Sequence, residues 1–93
     1  MSTYYAISQK YMQEPHVRFF SSERDRNKWC TQTSLTPRRP VTAKEARKIM
    51  TDYIVNTKWD INKIYRIFNI KREISYWTMA ELRCIYEYLH VHP

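Results

Sequence analysis

The segment TYYAISQKYMQEPHVRFFS, residues 3–21, decides the fold class. Its two ends, 3–8 and 16–21, are short, rich in aromatic and β-branched residues and partly alternating, with Tyr5 and Ile7 on one face and Val17 and Phe19 on another. Alternation of this kind belongs to a pleated strand, where successive side chains point to opposite faces. The connection, 9–15, carries Glu14 and Pro15 and is of a length that a hairpin accepts. An N-terminal β-hairpin is therefore expected.

Beyond the hairpin the period becomes helical. Ser21 and Ser22 precede Glu23 and Asp25, an N-cap followed by acids where the helix dipole favours them, and predict a surface helix to near Thr31. The stretch 33–41, TSLTPRRPV, reads as a loop, because Pro37 and Pro40 lack donors and push their predecessors out of helical conformation. Thr42 to Glu45 is a capping box, opening a helix to about Asn56 with Ala43, Ala46, Met50 and Tyr53 in a stripe beside Ile49 and Ile54. Asp60 caps a third helix to about Asn69, with Ile61, Ile64, Ile67 and Phe68 inward. Thr78 to Glu81 is a second capping box, opening a last helix to near His90 whose inner side is Met79, Leu82, Ile85, Tyr86 and Leu89. Residues 70–77 join these two as a turn, a short helix or a short strand. The fold class expected is α+β, a hairpin packed against three or four helices.

Length sets the domain count. A chain of 93 residues matches one core, so residues 1–93 are expected to form a single compact domain. Hydrophobic residues at 43% and charged residues at 27% lie in the globular range. No apolar run approaches the ~20 residues of a membrane span. Two cysteines, Cys30 and Cys84, follow no metal-ligand spacing, and MSTYYAISQKYM at 1–12 has no apolar signal core. A cytoplasmic protein without a membrane partner is expected.

Charge and glycine content narrow the function. Sixteen Lys and Arg against nine Asp and Glu give +7, and the C-terminal quarter, 70–93, is neutral with three of each. A positive field attracts nucleic acid, acidic protein or anionic lipid. The chain has no glycine. Phosphate-cradling loops, dinucleotide-binding turns and nucleophile elbows need glycine for positive φ or close backbone approach, so those chemistries are excluded. The remaining catalytic and metal constellations are thin. His90 and His92 are the only ligands close together, and the acids sit at helix starts, where capping explains them. No catalytic residue, metal site or cofactor is expected.

A binding function is expected instead. Lys44, Arg47 and Lys48 share one helix face, and Arg38 and Arg39 enter from the preceding loop, giving five cations for an acidic or phosphate-bearing partner. Residues 60–77 resemble an imperfect helix-turn-helix, one residue short between Asn69 and Ile74 and cut short by the Thr78 capping box, with Asn69 at the tight turn, Lys63 and Arg66 before it and Lys71 and Arg72 entering the second helix. That pattern supplies the alternative expectation of direct DNA or RNA binding. Tyr4, Tyr11, Trp59, Tyr76 and Tyr88 fall off the assigned core stripes and are candidate contacts, because Tyr, Trp and Arg dominate binding hot spots.

The order of elements also carries a resemblance. A short aromatic hairpin, then Phe19 to Trp29 in the approximate form FxSxxxRxxW, then RRPVTAKEARKI at 38–49, looks like small accessory proteins of bacteriophages. The resemblance implies a compact protein that binds and blocks a host machine, a host protein or nucleoprotein complex, with anti-CRISPR proteins as one such group. It assigns no functional residue.

Overall fold

The structure is a computed structural model and describes residues 2–92. The fold is α+β, with a three-stranded antiparallel sheet at the N-terminus and four α-helices. In order these are β1 (Tyr4–Ser8), β2 (His16–Phe20), α1 (Glu23–Thr31), β3 (Arg38–Val41), α2 (Ala43–Val55), α3 (Ile61–Ile67) and α4 (Met79–Val91), with one 3-10 turn at Ile74–Tyr76. The chain divides into two compact units, Met1–Ile49 and Met50–Pro93, and α2 runs through the boundary.

In the first unit the strand order is β2-β1-β3. The hairpin is present, pairing Tyr5 with Phe19 and Ile7 with Val17. The third strand corrects the loop expected at 33–41, for β3 pairs Ser8 with Arg38 and Tyr5 with Val41. The two prolines misled because a proline removes a donor from a ladder, whereas β3 lies at the edge of the sheet, where one side of the strand makes no ladder bonds. Pro40 is accommodated there, opposite Ala6. Tyr5, Ala6 and Ile7 are all buried, so the central strand is covered on both faces.

One of those faces is covered by α1. Ser22 Oγ caps it by accepting from Asp25 N at 3.1 Å. The register puts Tyr4, Ala6 and Ser8 on one side with Arg18, Phe20 and Arg38. Trp29 of α1 meets that side, its ring 5.6 Å from Phe20 and 4.2 Å from the Arg38 Cζ.

The second unit is helical. Its core is Met50, Ile54, Ile64, Trp77, Leu82, Ile85, Tyr86 and Leu89. The last helix carries the expected capping box, with Glu81 N donating to Thr78 Oγ1 at 3.1 Å and Thr78 N donating to Glu81 Oε1 at 2.8 Å. Helix α3 ends in a left-handed residue, Asn69 at φ 51°. Ile70 N donates to Tyr65 O at 3.0 Å and Asn69 N to Arg66 O at 3.4 Å, the paired bonds of a Schellman turn. Ile67, expected inward, is 47% exposed, because the helix stops there.

The helix-turn-helix reading is corrected. After Asn69 the chain forms only the three-residue 3-10 turn before Thr78 caps α4. A recognition helix needs several turns to present side chains to a groove. Trp77 explains the interruption: it is 1% exposed, donates from Nε1 to Arg72 O at 2.9 Å, and stands edge-on to Tyr65 at 5.9 Å. Burying the indole with its donor satisfied holds the backbone of 72–77 out of an α-helical path.

Candidate docking site

The two units differ in charge. Met1–Ile49 carries ten Lys and Arg against four Asp and Glu, a net +6, while Met50–Pro93 carries six against five, a net +1. The positive field therefore originates in the unit built on the sheet.

The five cations expected to form one surface are divided. Arg38 and Arg39 are adjacent on β3, so their side chains leave opposite faces of the sheet. Arg38 turns toward α1, half-buried, donating from Nη1 to Trp29 O at 3.0 Å. Arg39 pairs through Nη2 with Glu45 Oε2 at 2.5 Å, and Glu45 N donates to Thr42 Oγ1 at 3.1 Å. Arg39 thus ties β3 to the first turn of α2. Lys44 and Lys48 are exposed on α2 and Arg47 is half-buried. The surface of five is a helix face plus two arginines that part from each other.

The alternative set separates too. Lys63 and Arg66 are exposed on α3, with Lys63 Nζ 4.8 Å from the Trp59 ring centroid. Lys71 and Arg72 lie outside any helix. Arg72 donates to Tyr76 O at 3.0 Å and pairs with the Glu81 carboxylate, so it fastens the 3-10 turn to α4.

Of the five aromatics expected to be contacts, three are engaged internally. Tyr4 lies under the Arg26 guanidinium at 5.5 Å. Trp59 donates from Nε1 to His92 O at 3.1 Å and meets Tyr88 edge-on at 5.6 Å. Tyr11 and Tyr76 stand exposed.

Tyr11 lies at an end of the sheet where topology brings two loops together. It lies with Met12 in the loop after β1, and Leu35 lies in the loop before β3; antiparallel pairing brings both loops to one end of the sheet. Gln9 N donates to Pro37 O at 3.0 Å and joins them. Tyr11 is 92% exposed, Met12 87%, and Leu35 fully exposed. The loop after β1 is ordered by its own bonds, Gln13 N to Lys10 O at 3.0 Å and Gln9 Nε2 to Gln13 O at 3.0 Å, and by Met12 in the left-handed region at φ 61°. Beside it lies a depression of about 160 Å³ lined by Ile7, Gln9, Pro37, Arg38 and Arg39. Three large apolar side chains thus project from a braced sheet end with cations at its edge. Met12 and Leu35 escaped the sequence reading because only the third strand puts their loops side by side.

Other chemistry is sparse. Burial pushes the Cys30 thiol up despite the opposing pull of Arg26 and Arg38, which keeps it protonated. Among the described residues no three His, Cys, Asp or Glu gather as metal ligands, and no helix is long and apolar enough to cross a membrane. The chain matches no protein-family model, no curated protein and no solved structure.

Proposed function

We propose that this chain is a small non-enzymatic binding protein of phage type, an inhibitor or regulator that docks on a host protein or nucleoprotein complex with an acidic or phosphate-bearing surface. The observation that carries the reading is the group Tyr11, Met12 and Leu35 at the end of the sheet, beside Lys10, Arg38 and Arg39. Leaving a large apolar side chain in water forgoes roughly 1.5–3 kcal/mol of burial, which a partner's pocket recovers. Tyr, Met and Arg are enriched at interface cores, and a loop already held by its own hydrogen bonds loses little entropy on docking. The +6 unit behind the loops steers them toward an acidic face. The resemblance of 19–29 and 38–49 to phage accessory proteins supports the class of partner.

Affinity capture from a nuclease-treated host lysate tests the reading. The wild type is expected to retain a defined complex, and a Tyr11→Ala, Leu35→Ala double variant with unchanged circular dichroism is expected to lose it. Equal retention by the double variant rejects this surface.

A further inference from the structure

We propose that Arg18, Trp29 and Arg38, on the α1 side of the sheet, form a phosphate clamp whose ligand is the backbone of a nucleic acid. The inference deepens the docking reading, naming the nucleic acid as a second component that the same unit touches.

The register builds the clamp. Arg18 on β2 sits opposite Ala6 and Arg38 on β3 opposite Ser8, so two cations on outer strands flank small residues of the central one. Trp29 joins them, with the Arg18 Cζ 5.4 Å and the Arg38 Cζ 4.2 Å from its ring centroid. The two guanidinium carbons are therefore at most about 9.6 Å apart, the two distances laid end to end. Both cations thus stand within reach of one extended anion. Among the described residues neither has a carboxylate partner; of the two acids on α1, Glu23 lies 3.6 Å from Arg26 and Asp25 sits in the first turn, where its backbone N–H donates to the capping Ser22.

The donors are also left over. Arg38 uses only Nη1, on Trp29 O and Gln32 Oε1. The Arg18 guanidinium makes no hydrogen bond among the described residues, and the residue is exposed. Cation–π contact with one indole places both guanidinium groups, and Arg38 is held further by its bond to Trp29 O; a planar fork suits bidentate capture of a phosphate or a carboxylate.

Surroundings select the polymer. Arg24 and Lys28 stand exposed along α1, which also carries Glu23 and Asp25 in its first turn, so its three cations outnumber its two acids beside the clamp. A phosphodiester chain, evenly charged along its length, meets such a spread of cations. An acidic protein would call for exposed apolar anchors here, but those of this unit, Tyr11, Met12 and Leu35, lie at the end of the sheet.

Fluorescence anisotropy of the intact chain tests the clamp, using labelled single-stranded and duplex DNA of about 20 nucleotides and polyglutamate of similar length, between about 50 and about 200 mM salt. Binding of DNA with a steep linear loss in log salt is expected, and Arg18→Ala is expected to weaken it several-fold and reduce the salt slope by about 1. Binding should change tryptophan emission in the wild type and not in Trp29→Phe. Polyglutamate binding as tight as DNA, or an unchanged Arg18→Ala, overturns the proposal. A wild type that captures its partner but does not bind DNA refutes the clamp alone; a wild type that binds DNA but captures no partner refutes the docking surface alone.

Discussion

The Arg38 guanidinium lies 4.2 Å from the Trp29 ring centroid and donates to that residue's own carbonyl at 3.0 Å, so one arginine on an edge strand fixes the C-terminal half of α1. The stack and the bond together contribute about 1–2 kcal/mol. Arg38→Ala should lower stability by that amount in urea unfolding. Arg38→Lys should recover little of it, since an ammonium cannot stack and donate as the planar fork does. Full recovery by lysine would make charge, not geometry, the cause.

Trp77 separates packing from hydrogen bonding. Trp77→Ala should cost about 3–5 kcal/mol through the cavity it leaves. Trp77→Phe keeps most of the volume but strands the Arg72 carbonyl, and should cost about 1–3 kcal/mol. Thermal unfolding by circular dichroism gives both values.

Asn69 performs a task that this glycine-free chain cannot give to glycine. Asn69→Gly should be neutral or mildly stabilising, and Asn69→Val should destabilise by about 1–2 kcal/mol, because a β-branched residue resists the left-handed region. Denaturant midpoints of the two variants check the sign.

Glu81 links the second unit to pH. The bond from Thr78 N, and then the Arg72 guanidinium, hold its carboxyl below the ordinary value of 4.5. A carboxyl depressed in the folded state stabilises above its unfolded value, and that contribution is lost as pH falls through the folded one. The wild type should therefore lose its advantage over Glu81→Gln as pH drops below 4.5. A constant difference between pH 7 and pH 3 would contradict this.

Much of this architecture was written locally in the chain. Ser22, Asp60 and Thr78 announce their helices because a cap involves residues within one turn. The third strand was hidden because Pro40 argues against any strand, and only its edge position, a tertiary fact, removes the objection. Trp77 was hidden because the segment around it has no period, its burial being set by Tyr65 and Arg72. The basic cluster at 38–48 was visible as composition, but strand alternation at Arg38 and Arg39 decides which cations share a face. Tyr11 could be picked out as off the core stripes, whereas its grouping with Leu35 depends on the pairing of β1 with β3.

The proposed docking end of the sheet carries Tyr11, Met12 and Leu35. The most direct measurement of that docking is site-specific photo-crosslinking in host lysate, with the reactive residue placed at Tyr11 or, for comparison, at exposed Glu87 on α4. One discrete adduct is expected from position 11, competed away by excess wild type and abolished by Leu35→Asp, and none from position 87. The same adduct from both positions, or one from position 11 that survives Leu35→Asp, would contradict docking at this end.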